Sequence, residues 1–114
     1  MLTRRSRRQR KADPRQIVVE SYTRELKGKT TGELLADTPS DPGYHAAPQF
    51  DARRSGIELA VSAFRPHDRP GEVWFVVQAV SRRLIYRVFV DGFKLLDSGE
   101  GSELTDEDWG HLNI

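Results

Sequence analysis

The residues of this chain that are best suited to chemistry are cations. From Thr3 to Lys11 the sequence reads TRRSRRQRK, in which six of nine residues are Arg or Lys and none is apolar. Arginine offers a planar fork of donors that matches phosphate, and each phosphate neutralised releases condensed counterions. Arg4, Arg5, Arg7, Arg8, Arg10 and Lys11 are therefore candidate nucleic-acid contacts. A second set lies between residues 74 and 94, where Arg82, Arg83, Arg87 and Lys94 are interleaved with Trp74 and Phe89. Aromatics beside cations on a strand surface suit single-stranded nucleic acid, because every base has a face that can stack. The competing reading makes Trp74 and Phe89 core residues beneath an N-terminal helix.

The Arg-rich stretch resembles the arginine-rich RNA-binding arms of lambdoid phage antiterminators and of many viral capsid proteins. The likeness covers about nine residues and implies phosphate contact there, with nothing carried over to the rest of the chain. Near the other end, GSELTDEDWGHL is similar over a dozen residues to the strand-to-helix junction of the coactivator family of positive cofactor four. The long dimer-forming helix that follows in that family is missing here, and no residue role is carried over.

Other constellations are poor. His45, His67 and His111 do not stand in metal-ligand spacing, and there is no cysteine for a thiolate site, a disulfide or a nucleophile. His67-Asp68 has the composition of an oriented general base but sits in a turn-like RPHDRPGE stretch. Asp106, Glu107 and Asp108 read as helix-start carboxylates before they read as cation ligands. Gly28-Lys29-Thr30 lacks the earlier glycine of a phosphate loop, since Thr23 stands in its place. The expectation is a non-enzyme with no cofactor and no metal.

Charge is unevenly distributed. Residues 1–29 carry ten Lys/Arg and three Asp/Glu, a net of +7. Residues 30–95 carry eight of each, and residues 96–114 carry six Asp/Glu with no Lys/Arg, a net of −6. Ends of opposite sign have electrostatic work to do, with partners or with each other. No apolar run approaches the roughly 18 residues that span a membrane. The basic start could suit an organelle transit peptide, but Asp13 and Glu20 arrive early, so the cytoplasm is the default expectation.

The elements that must position these residues are legible in part. Residues 1–12 are too charged to order alone and read as a flexible arm. Asp13, Pro14 and Gln16 punctuate a helix start, Val18, Tyr22 and Leu26 form its stripe, and Gly28 stops it. A strand through Ile17-Val18-Val19 is the rival. Thr30 and Glu33 stand in capping-box spacing for a short second helix. Residues 38–55 form a long connection that Tyr44 and Phe50 would pin. Alternation over 56–64 and the β-branched, aromatic run over 72–80 read as strands. Asp91-Gly92 reads as a two-residue hairpin turn joining 84–90 to 93–97, with Leu84, Tyr86, Val88, Val90, Phe93 and Leu95 on the core face. A helix through 78–90 is the alternative. Thr105 caps a last short helix, from which Leu104, Trp109 and Leu112 could fold back on the sheet.

The expected architecture is α+β. One or two N-terminal helices pack on a four-stranded antiparallel meander, forming a single domain over 13–99 with an acidic segment at 100–114. Two functions fit. The first is a small RNA- or single-stranded-DNA-binding accessory protein that uses its Arg-rich arm. The second is a protein-interaction module, such as a phage- or plasmid-type inhibitor or a small subunit, which would dock on an acidic protein surface or form a homodimer. No membrane role is expected.

Overall fold

The structure is a computed structural model that describes residues 13–80 and 89–112. Helix α1 spans Pro14–Lys27, and its start follows from local chemistry. The Asp13 carboxylate accepts from the Arg15 N–H at 2.9 Å, and Pro14 fills a position whose missing N–H costs nothing. The buried stripe is Val19, Tyr22 and Leu26, with Gln16 and Thr23 beside it. Val18, expected in that stripe, packs at its margin. Helix α2, Thr31–Leu35, has the expected capping box, with the Glu33 N–H donating to Thr30 Oγ1 and the Thr30 N–H to Glu33 Oε1.

Among the described residues the sheet is antiparallel and larger than expected, with six strands rather than four. Strands β1 (Gly43–Ala46) and β2 (Ala52–Arg54) both pair with β3 (Ile57–Arg65), then come β4 (Val73–Ala79), β5 (Val90–Leu95) and β6 (Gly101–Glu103). The connection over 38–55 thus contains two short edge strands, separated by a 3-10 turn at Pro48–Phe50. Across that gap the Val61 N–H donates to Asp51 Oδ1 at 2.9 Å and the Val61 carbonyl accepts from the Ala47 N–H at 3.0 Å. The backbone of β3 therefore stays satisfied at Val61 on the side where neither β1 nor β2 reaches it. Phe50 is buried, as expected of a pin. Tyr44 is half exposed, with its ring 4.6 Å from that of Phe64.

The hairpin turn at Asp91-Gly92 does not form. Both residues lie inside β5, with Asp91 opposite Val77 and Gly92 opposite Val76. A two-residue turn preference is local, and pairing the whole of β5 with the apolar β4 outweighs it. Gly92 is needed for space, since a Cβ there would run into the carbonyl oxygen of Phe75 and meet Leu104 Cδ1 at 3.0 Å. Gly92→Val should cost about 2 kcal/mol by overpacking this strand pair. Urea unfolding measures it, and a variant as stable as the parent would contradict the close approach. Of the expected partner strand 84–90, residues 84–88 lie outside the described residues, as does the core placement of Leu84, Tyr86 and Val88.

Without the turn, strand alternation puts Val90 and Phe93 on opposite faces. One face carries Leu59, Val61, Ala63, Val73, Phe75, Val77, Phe93 and Leu95, and α1 and α2 cover it with Val19, Tyr22, Leu26 and Leu34. The other carries Phe64, Trp74, Val76 and Val90. It is covered by the C-terminal segment, through Leu104 and through Trp109 and Leu112 of helix α3 (Asp106–His111) and its cap. The acidic end of the chain is therefore built into the fold as β6 and α3. Among the described residues no helix is long and apolar enough to cross a membrane.

Candidate nucleic-acid interface

The Arg-rich stretch joins the folded body at Asp13, where α1 begins. Arg15 turns back on this cap, its Nε and Nη2 each 3.1 Å from an Asp13 carboxylate oxygen, and the same guanidinium lies 4.2 Å from the centre of the Phe89 ring. The hydrogen bonds from Arg15 to Asp13 favour the charged guanidinium and raise its pKa. At the next residue, Gln16 Nε2 donates to the Val90 carbonyl at 3.0 Å and to Glu20 Oε2 at 3.0 Å. These contacts tie the start of α1 to Phe89 and Val90. The Ala79 N–H donates to the Phe89 carbonyl at 2.9 Å, so the end of β4 reaches the same corner. The stretch of sequence between those two points contains Arg82, Arg83 and Arg87.

The second group of cations lies on the opposite face of the sheet. Lys94 stands across from Trp74 in the β4–β5 register, with its Nζ 5.9 Å from the ring centre, and Arg69 Cζ lies 5.5 Å from it. Between the two cations sits the carboxylate of Asp108, which is 1% exposed. Arg69 Nη1 donates to Asp108 Oδ1 at 2.8 Å, Lys94 Nζ donates to Oδ2 at 2.9 Å, and the Thr105 N–H donates to Oδ2 at 2.9 Å. Burial pushes this carboxyl's pKa up, but the donors Lys94, Thr105 and Arg69 outweigh it and lower the pKa to about 2. The Trp74 indole N–H donates to Glu72 Oε1 at 2.9 Å, and the rings of Phe64 and His111 flank the indole.

Of the residues expected to contact nucleic acid, Arg4, Arg5, Arg7, Arg8, Arg10, Lys11, Arg82, Arg83 and Arg87 lie outside the described residues. Trp74 and Lys94 come together as expected. Trp74 is 1% exposed, however, and Lys94 is held by Asp108, so in this conformation neither faces solvent as an open platform. Phe89 does not share their face: strand alternation puts it under α1, where it is 2% exposed and stacked by Arg15. Trp74 is core too, but beneath α3 rather than α1. Sequence reasoning missed Arg15, Arg69 and Asp108 as a set. Arg15 follows an N-cap aspartate by two residues, which was a usable signal. Asp108 meets Arg69 across 39 residues and Lys94 across 14, and no spacing rule joins them. Among the described residues no group of three or more His, Asp or Glu is placed to hold a metal ion. Comparison of the chain with family models, with curated proteins and with solved structures finds no match in any of the three.

Proposed function

We propose that this chain is a small nucleic-acid-binding accessory protein that holds RNA or single-stranded DNA through its Arg-rich N-terminal stretch. The observation that carries the reading is the corner where α1 meets β5. Arg15 on Phe89 and Gln16 on Val90 bring the attachment point of residues 1–12 beside the described ends of the stretch containing Arg82, Arg83 and Arg87. The described residues that flank two arginine-bearing stretches of sequence thus meet at one corner of the folded body, and this supports a reading in which one phosphate backbone is held by both. Phosphate contacts of this kind supply affinity without reading sequence.

The test is a set of anisotropy titrations with labelled single-stranded RNA, single-stranded DNA and duplex DNA. The parent protein is compared with a variant in which Arg4, Arg5, Arg7 and Arg8 are Ala. The parent should bind a single strand, and the variant should bind it at least about tenfold more weakly, since each lost phosphate contact removes counterion release. Equal affinities, or none, would turn the reading toward protein docking. For that, the half-exposed apolar side chains Ile17, Tyr44 and Val80 offer surface among the described residues.

A further inference from the structure

The C-terminal segment from Gly101 to Leu112 behaves as a strap over the second face of the sheet. Its strand, β6, has three residues and lies at the edge of the sheet, and its helix has six. An isolated helix of that length does not hold in water, so the strap depends on what lies beneath it. Leu104, Trp109 and Leu112 pack on Phe64, Trp74, Val76 and Val90, and the Asp108 carboxylate sits between Arg69 and Lys94. Both cations lie over the Trp74 ring. An anion held by an arginine and a lysine that themselves lie over an indole has the chemistry of a phosphate held beside a stacked base.

We infer that the strap is an autoinhibitory cover, with Asp108 occupying a phosphate subsite made by Arg69 and Lys94 beside Trp74, and that single-stranded RNA displaces it. This rests on the nucleic-acid reading of the chain and adds a second, latent contact to it. Opening is a local event that leaves α1 and the other sheet face in place. It frees Arg69 and Lys94 from their internal anion and uncovers Phe64 and Trp74 for stacking. The strap carries Glu103, Asp106, Glu107 and Asp108 and no Lys or Arg, so a bound polyanion repels it. Strap closure and strand binding at this face therefore exclude each other, and the protein binds more weakly than its cations would allow.

The experiment uses the full chain and a fluorescein-labelled oligouridylate of about 12 nucleotides. Asp108→Asn keeps the shape of the side chain and removes its charge, and it should tighten binding by about tenfold, within the usual range for coupled sites. Glu103→Gln makes the same change of charge elsewhere in the strap and should move affinity far less. Adding Arg69→Gln to Asp108→Asn should cancel the gain. In the parent, the amides of Trp109 and Leu112, which donate to Thr105 and Asp108 carbonyls, should exchange faster when the oligonucleotide is bound. Leu112→Ala loosens the strap without touching either cation, so it decides the matter if Asp108→Asn does not fold, and it too should tighten binding. If the parent binds RNA, but neither variant binds more tightly and the strap amides stay protected, the inference fails and the N-terminal contact stands. If no protein in the set binds, both fail.

Discussion

Phe75→Asp should leave the protein without a cooperative unfolding transition. Phe75 is fully buried at the centre of β4, which lies between β3 and β5. Its ring stacks on Phe93 with centroids 5.3 Å apart and meets Phe50 edge-on at 6.4 Å. Losing the phenyl group alone costs about 3–5 kcal/mol. An unpaired carboxylate in the core cluster that includes Val19, Leu26 and Val61 adds several more, and a domain of this size has only about 5–15 kcal/mol to lose. Phe75→Leu keeps the site apolar and should remain folded with a loss of about 1–2 kcal/mol. Thermal melts by circular dichroism separate the two. A Phe75→Asp protein melting near the parent would mean that the β4 face toward α1 is not the core.

Asp108→Ala should cost about 3 kcal/mol, because it takes from Lys94 and Arg69 the buried anion they share and leaves Arg69 only the exposed Glu107, at 3.5 Å. The same carboxylate makes the fold sensitive to acid. Its pKa is lowered from 3.8 to about 2 on folding, so its charge favours the folded state above about pH 4. That contribution, roughly 2 kcal/mol by linkage, is lost as pH falls from about 4 toward 2. Asp108→Asn has no such carboxylate, and its stability should fall less over that interval. Urea unfolding at pH 6, 4 and 2.5 reads the difference between the two proteins. Parallel losses of stability would contradict the assignment of Asp108 as the strap's charged anchor.

The parts of this structure that were legible in the sequence are those that neighbouring residues decide. Asp13 and Pro14 announce α1, Thr30 and Glu33 announce α2, and Thr105 with its following carboxylates announces α3, because each cap is completed within three residues. β3 and β4 were visible from alternation and from β-branched content. The misreadings come from longer-range choices. Asp91-Gly92 has turn chemistry, but the fold uses the glycine to let β5 pass the carbonyl of Phe75. β1 and β2 hold four and three residues and show no alternation long enough to read. The candidate site divides in the same way. The Arg-rich stretch is plain from composition alone, whereas the Arg69–Asp108–Lys94 cluster exists only because the C-terminal segment folds back across β4 and β5.

If residues 1–12 hold nucleic acid by its phosphates, as proposed, binding must depend steeply on salt. Affinity for single-stranded RNA is measured for the parent and for the protein with Arg4, Arg5, Arg7 and Arg8 replaced by Ala, across a range of monovalent salt. For a single strand, log affinity falls with log salt by about 0.7 for each phosphate neutralised. The parent should therefore show a steep slope, and removing four arginines should flatten it by about 3. Two equal slopes, or a parent whose affinity barely responds to salt, would contradict the claim.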